Sequence, residues 1–450
     1  MASAVEQFAS NLNFGAFAKA EELKQRLWFT LIAIIIYRVG THIPLPGIDP
    51  TIWNSIFSQK SGGVLDMFNM FSGGALQRMS ILALNIMPYI SASIIMQLMT
   101  SMNPTLEAMK KEGEAGRKKI NQYTRYGTVL LAAVQAYGLA VGLESLPNSA
   151  GASAVINPGL FFRITTIITI VGGTIFLMWL GEQITARGVG NGISLIIFAG
   201  IVAGIPVSIV QLLELGREGT LSVFGILAIA VMVIGIIGFI VFMERAQRRV
   251  VVQYPKRNIG GNRMSGGESS HMPLKINTAG VIPPIFASSL LLMPMTIAGF
   301  SNVDSGIGWL DSFARFLNHG QPGYMVLYGA LIIFFAFFYT AIVFNPDETA
   351  DNLRKYGGFV PGIRPGKATA DHLDRILTRI TTIGAAYLTF VCLVPEFLVA
   401  HHSLPFYLGG TSLLIAVTVP MDTVAQIHSH LIAHQYEGLI KKSKLRGSRK

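Results

Sequence analysis

The sequence predicts an all-α polytopic membrane protein with about ten transmembrane helices in two inverted five-helix halves. Three observations carry this prediction. Of the 450 residues, 51% are hydrophobic and only 13% are charged, whereas soluble domains carry roughly 25% charged residues. Apolar runs long enough to span a bilayer recur along the chain. Basic residues are concentrated in alternate loops between these runs, as expected when cytoplasmic loops carry them.

The candidate spans follow one another from the first apolar run to near the carboxyl end. They lie near residues 25–42, 79–100, 123–142, 161–184, 191–212, 221–243, 276–298, 323–344, 376–397 and 407–429. The predicted halves are residues 25–214 (spans 1–5) and 215–435 (spans 6–10). Because five is odd, a duplicated half would enter the membrane upside down. The duplication rests on span count and loop placement, since the halves share no evident residue-level match.

The loop charges orient the chain in the membrane. Basic clusters follow spans 2, 6 and 8 and occupy the tail, and the net charge is +11. These positions all fall on one side, which is therefore the cytoplasm, and both termini join it as segments 1–24 and 436–450. Two of the basic loops, 244–275 and 345–375, are too long to be mere connections. Topological charge explains any single Lys or Arg in them, whereas two long basic projections together favour docking of a cytoplasmic partner.

The sequence carries no recognisable catalytic or metal-binding pattern. It has no P-loop, zinc-protease motif or nucleophile elbow. The single cysteine, Cys392, excludes an intrachain disulfide and reads as a small buried hydrophobe. Three histidines near the end of span 10 lack a supporting carboxylate cluster. We therefore expect no enzyme activity, no cofactor and no metal. An inverted-repeat secondary transporter remains the alternative at this point.

Residues 62–74, GGVLDMFNMFSGG, form an apolar stretch closed by glycine pairs at both ends. Its core is about half the length that a helix needs to cross a bilayer. The loop charges place it on the outer side, directly before span 2. A helix lying flat at the interface is the simplest interpretation.

Several long segments resemble one known family. They are MFNMFSGGALQRMSILALNIMPYISASIIMQL (67–98), KKEGEAGRKKINQYTRYG (110–127), FLMWLGEQITARGVGNGISLIIFAGIVAG (176–204), LKINTAGVIPPIFASS (274–289), FFYTAIVFNPDETADNLRKYGGFVPGIRPG (337–366) and PFYLGGTSLLIAV (405–417). They are similar to bacterial SecY proteins, the channel subunits of the Sec protein translocase. The resemblance runs from span 1 to the tail.

The resemblance implies a central hourglass pore between the two halves. Its waist would be a ring of aliphatic residues, matched here by Ile86, Ile90, Ile193, Ile197, Ile285 and Ile415. The pairs 86/90 and 193/197 have the i, i+4 spacing of one helix face. The stretch 62–74 would be the plug below the ring, with the apolar positions Val64, Leu65, Met67, Phe68, Met70 and Phe71. An aliphatic ring gives no charge to trap a polar chain, and it dewets when narrow.

The resemblance also implies a lateral gate and a docking surface. The gate would lie between spans 2 and 3 on one side and spans 7 and 8 on the other. Polar gate positions are matched by Gln97, Gln135 and Asn277, for which plain interhelical hydrogen bonding is the alternative. Positions for docking a motor or ribosome are matched by Arg257, Arg263 and Arg364.

The implied function is a passive channel in the bacterial cytoplasmic (inner) membrane. It would move unfolded secretory proteins across the membrane and release transmembrane segments sideways into lipid. The implied partners are the SecE and SecG subunits, the SecA motor ATPase, the ribosome, signal sequences and nascent chains, SecDF, YidC and membrane lipids. The only nucleic acid expected to make contact is ribosomal RNA. None of the six ring positions carries the carboxylate that an ion-coupled transporter would need.

Overall fold

The computed structural model describes residues 21–59, 64–145, 153–219, 222–254, 257–258, 264–265, 269–300, 321–402 and 410–447. Its helices are α1 (Glu21–Gly40), α2 (Pro50–Gln59), α3 (Val64–Phe71), α4 (Met87–Met102), α5 (Pro104–Lys111), α6 (Glu114–Ser145), α7 (Leu160–Arg187), α8 (Gly192–Arg217), α9 (Val223–Arg245), α10 (Ile282–Phe300), α11 (Pro322–Val343), α12 (Pro346–Lys355), α13 (Lys367–His402) and α14 (Gly410–Gly447). Its strands are β1 (Gln247–Gln253), β2 (Arg257–Asn258), β3 (Met264–Ser265) and β4 (Ser269–Lys275).

Membrane-length helices dominate the described chain. Within it, 7 helices are long and apolar enough to cross a membrane, namely α6, α7, α8, α9, α11, α13 and α14. Helices α1, α4 and α10 lie at the predicted spans 1, 2 and 7. The short strands all lie in the predicted loop 244–275, where a polar, basic sequence interrupts the apolar pattern. The helical, multiply spanning architecture predicted from the sequence is therefore present.

Span 2 begins later than its hydropathy indicates. The sequence predicts a helix from residue 79, but α4 begins at Met87, and residues 72–86 form successive turns. Met79 and Asn85 have positive φ values of 44° and 49°, which no α-helix tolerates. Ile86 consequently precedes the helix that contains Ile90. The prediction that 86 and 90 share one helix face was wrong, because it assumed a continuous helix.

The turns at 72–86 are buried apolar sequence held by surrounding segments. The Trp53 indole of α2 donates to the Leu76 carbonyl at 3.0 Å. The backbone N–H of Leu45 donates to the Met79 carbonyl at 2.8 Å. The hydropathy of this apolar run therefore predicts a membrane span, although tertiary contacts fold the run into turns.

The chain forms two compact units. The first comprises Met1–Tyr89, Gly127–Gly204 and Val419–Lys450, and the second comprises Ile90–Tyr126 and Ile205–Thr418. Helices α4, α6, α8 and α14 each continue from one unit into the other.

The first unit joins the α7–α8 turn to α1 and to the middle of α14. The backbone N–H of Val189 donates to Thr30 Oγ1 of α1 at 3.1 Å. The next N–H, of Gly190, donates to Gln426 Oε1 of α14 at 3.0 Å. Leu23 and Val189 form a small buried cluster beside these bonds.

The second unit packs α11 against α10 and α13. Phe286 of α10 meets Phe335 of α11 edge-to-face, with ring centroids 5.7 Å apart. Near the other end of α11, the Tyr328 hydroxyl lies 2.6 Å from the Thr411 hydroxyl at the start of α14. Both residues are buried, so this hydrogen bond joins two helices inside the unit.

Candidate functional site

The short apolar stretch forms a helix of 8 residues, α3, as the sequence predicts. The plug positions Val64, Leu65, Met67, Phe68, Met70 and Phe71 all lie on it. Phe68, Met70 and Phe71 are buried. The backbone N–H of Gln77, in the following turns, donates to Asn69 Oδ1 at 2.9 Å. Helix α3 is thus folded back onto the segment that leads into α4.

Side chains from two segments bind the carboxyl end of α3. The Asn85 side-chain nitrogen Nδ2 donates to the Phe71 carbonyl at 2.6 Å. The Tyr37 hydroxyl of α1 donates to the Ser72 carbonyl at 3.4 Å. Carbonyls at a helix end lack intrahelical partners, so Asn85 satisfies a Phe71 carbonyl that burial would otherwise leave unpaired, whereas the Ser72 carbonyl also accepts the Ala75 N–H at 3.3 Å.

Two arginines and a glycine contact fix the next residue, Gly73. Arg38 Nη1 of α1 donates to the Gly73 carbonyl at 3.1 Å, and Arg78 Nη2 donates to the same oxygen at 3.0 Å. Gly73 has a φ of +65°, and a Cβ there would lie 2.7 Å from the Cα of Gly200 in α8. Only glycine fits this approach without a shift. No sequence pattern marks Arg38, Arg78 or Gly200 as functional.

The six predicted ring positions divide between the two units. Ile86, Ile193 and Ile197 belong to the first unit, and Ile90, Ile285 and Ile415 belong to the second. All are buried except Ile193, which is half-buried. Ile193 and Ile197 share a face of α8, as predicted. Their membership of a common ring stays a prediction.

Two prolines precede Ile285 without disturbing a helix interior. Pro283 and Pro284 lie in the first turn of α10, which begins at Ile282. Proline is tolerated there because the first N–H groups of a helix have no intrahelical acceptor. The Ile285 N–H still donates to the Val281 carbonyl, at 3.4 Å. This position is therefore part of a regular helix start.

The three predicted gate amides have different surroundings. Asn277 Nδ2 donates to Glu244 Oε1 at 2.6 Å and to the Gly280 carbonyl at 3.1 Å, so it ties the end of α9 to the turn before α10. Gln97 Nε2 donates to Ser93 on its own helix at 3.3 Å. Within the described residues, the buried side-chain oxygens of Gln97 and Gln135 accept no hydrogen bond.

The two long loops that the sequence predicts to be cytoplasmic form one structure, which we call the loop platform (β1, β4 and residues 357–363). Gln253 and Phe359 exchange two backbone hydrogen bonds, of 2.8 and 2.9 Å, across the loops. Beneath them lies a shared apolar cluster of Val250, Leu274, Val360, Ile376 and Ile380. The loops that the sequence presents as separate projections are therefore packed together.

Two of the three predicted docking arginines, Arg257 and Arg364, neighbour this platform along the chain. Arg364 is exposed, and its carbonyl accepts a hydrogen bond from Thr369 Oγ1 at 2.9 Å. Arg257 lies on the two-residue strand β2, paired with β3. Arg263 lies outside the described residues. Where the chain is described, no three His, Cys, Asp or Glu side chains group as a metal site.

The chain is similar to known translocase subunits over almost its whole length. The SecY family model matches residues 80–424. The protein translocase subunit SecY of Escherichia coli (strain K12) is 55% identical over 426 residues, covering 95% of this chain and 96% of that protein. The SecY subunit of Vibrio cholerae serotype O1 is 56% identical over 429 residues, with 95% and 96% covered.

Solved structures of protein-conducting channels share the fold. One such channel has a TM-score of 0.66 at 19% identity, covering 90% of this chain and 92% of that chain. A SecY channel whose plug domain is said to stabilise the closed state and maintain a membrane seal has a TM-score of 0.63, with the same identity and coverage. Sec61 in the canine ribosome-channel complex has a TM-score of 0.60, again at 19% identity and the same coverage. The predicted all-α polytopic fold is confirmed, and the chain belongs to the SecY family.

Proposed function

We propose that the chain is the channel subunit of a protein translocase. It moves unfolded secretory proteins across the bacterial cytoplasmic membrane and releases transmembrane segments sideways into lipid. One structural observation supports this function in addition to family membership. Helix α3, of 8 residues and too short to span a bilayer, is folded back onto the turns that lead to Ile86 and α4. A channel for unfolded chains needs a removable seal at this place, whereas an enzyme does not.

The proposed ring consists of the six isoleucines Ile86, Ile90, Ile193, Ile197, Ile285 and Ile415. A narrow aliphatic constriction dewets and so blocks ions, while it offers no charge to retain a polar segment. An ion-coupled transporter would instead concentrate ionisable groups at its binding site. The absence of any such group from the six positions favours the channel over the inverted-repeat transporter.

The proposed lateral gate uses Asn277 beside span 7 and, on the opposite side at spans 2 and 3, the amides of Gln97 and Gln135. The side-chain oxygens of Gln97 and Gln135 have no hydrogen-bond donor among the described residues, although burial of an unpaired polar atom is costly. An interhelical hydrogen bond in a membrane contributes about 1 kcal/mol, so such amides close a gate weakly enough for it to open. Cysteines placed in α4 and α10 on a Cys392→Ser background should block export when crosslinked. Continued export after complete crosslinking would contradict gate opening as a requirement.

The proposed partners dock on the cytoplasmic side, where both termini lie. Arg257, Arg263 and Arg364, which neighbour the loop platform along the chain, would contact the SecA motor or the ribosome. A ribosome partner is consistent with the ribosome-bound Sec61 channel of the same fold. SecE and SecG would complete the membrane complex, and energy would come from the motor, from translation or from the proton-motive force.

The test is reconstitution of the complete complex in vesicles with SecA, ATP and an unfolded precursor. We expect the precursor to become protease-protected in the lumen. Deletion of residues 64–71 should raise the resting ion conductance in planar bilayers. Ion-coupled uptake of a small solute without precursor movement would instead establish the transporter. A tight channel after the deletion would leave α3 only an interfacial role.

A further inference from the structure

We infer that the resting position of the plug is set by a clasp on the carboxyl end of α3, and this inference rests on the proposed plug function. The plug clasp consists of four donor side chains: Tyr37, Arg38, Arg78 and Asn85. They donate to three consecutive backbone carbonyls, those of residues 71, 72 and 73. Helix α3 is therefore held through its backbone, independently of how its apolar side chains fit below the ring.

The chemistry of the clasp matches the group that it holds. A helix ends in unpaired carbonyls and carries partial negative charge there. Two guanidinium groups, from Arg38 and Arg78, converge on the single carbonyl oxygen of Gly73, at 3.1 and 3.0 Å. Hydrogen bonds from a charged donor are about twice as strong as neutral ones. The cations therefore contribute more to the clasp than the hydroxyl of Tyr37, whose bond is 3.4 Å long.

The clasp also connects the plug to membrane helices. Tyr37 and Arg38 belong to α1, and Gly200 of α8 lies so close to Gly73 that a Cβ on either would meet the other's backbone. Asn85 adopts its positive φ of 49° at the last turn before α4. Displacement of the end of α3 thus requires breaking contacts to α1, α8 and the α4 entry together. Loss of one strong donor should shift the plug toward the displaced state.

The experiment measures resting conductance of the complete reconstituted channel in planar bilayers. Arg38→Gln should raise it about tenfold, because one charged hydrogen bond is replaced by a weaker one. Arg38→Lys keeps the charge and should give a smaller rise. The matched control is Arg163→Gln, since this arginine lies in the same unit but pairs with Glu144 at 2.6 Å. The control should leave the conductance unchanged.

A second background separates the clasp from the plug itself. In a channel lacking residues 64–71, Arg38→Gln should add no further conductance, because no plug remains to be held. If the deletion leaks and Arg38→Gln alone does not, the clasp is refuted while the plug function stands. If Arg38→Gln raises conductance further in the deleted channel, Arg38 acts elsewhere and the clasp is also refuted. A tight deletion channel would refute the plug function and the clasp with it.

Tyr37→Phe provides a variant that removes only a hydroxyl group, for the case that Arg38→Gln fails to assemble. We expect about a twofold rise in conductance from it, in keeping with a long neutral hydrogen bond. An unchanged conductance for both Tyr37→Phe and Arg38→Lys in an assembled channel would overturn the clasp.

Discussion

The joining of the two long loops can be tested at one pair of neighbouring residues. Val250 and Val251 are adjacent on β1 but face opposite sides, with 7% and 37% of their surfaces exposed. Val250→Ala removes two buried carbon groups at ~0.8 kcal/mol each, or ~1.6 kcal/mol in all, before any cavity cost. This loss corresponds to about a 15-fold increase in opening of the loop platform. Val251→Ala removes the same atoms from the exposed face and should cost less than about 0.5 kcal/mol.

Amide hydrogen exchange, resolved by fragmentation mass spectrometry, is the appropriate measurement. The reporting amides are those of Gln253 and Phe359, which bond to each other's carbonyls across the two loops. Both should exchange about 15-fold faster in Val250→Ala and about as fast as wild type in Val251→Ala. Equal effects of the two substitutions would refute the shared apolar cluster. Acceleration at Gln253 alone would show that the loops open independently.

Three further predictions concern the ring, the docking surface and the second unit. Ile193→Asp should make the resting channel conduct ions, because a charge wets a narrow aliphatic constriction, and unchanged planar-bilayer conductance would contradict the ring. Arg364→Glu should abolish SecA-driven export without reducing the amount of assembled complex. Lys355→Glu, at the exposed end of α12 in the same predicted loop, should have a smaller effect; equal export rates for the two variants would remove Arg364 from the docking surface. Tyr328→Phe should lower the free energy of unfolding by about 0.6 kcal/mol, and no further loss should follow when Thr411→Val is added; additive losses would show that the two hydroxyls do not interact.

Hydropathy located most membrane helices because each lipid-facing helix must be apolar by its own composition. The predicted spans 161–184, 191–212 and 221–243 correspond to α7, α8 and α9 within a few residues. The predicted start of span 2 was wrong, because the apolar residues 79–86 are buried by contacts within the protein and not by lipid. Composition cannot distinguish these two environments, and the local signal, an asparagine at 85 with positive φ, is weak in sequence.

The partners of the carboxyl end of α3 and the joining of the two loops also lay beyond the reach of sequence patterns. From the sequence alone, Arg38 is interpreted as a charged residue near the end of span 1 that could reach the membrane surface. Only the fold places it beside Gly73. Gln253 and Phe359 are separated by two membrane helices along the chain, so no local pattern pairs them. The family resemblance identified the candidate positions, whereas the hydrogen bonds of the structure show which residues contact them.

The bridge between Gln253 and Phe359 has a mechanical consequence. One loop connects α9 to α10, and the other connects α11 to α13, so four membrane helices end on the same small platform. All four lie in the second unit. A partner that binds either loop therefore acts on a structure that is connected to all four helices. Force from a motor or a ribosome would displace them together as a block, without having to engage each loop separately.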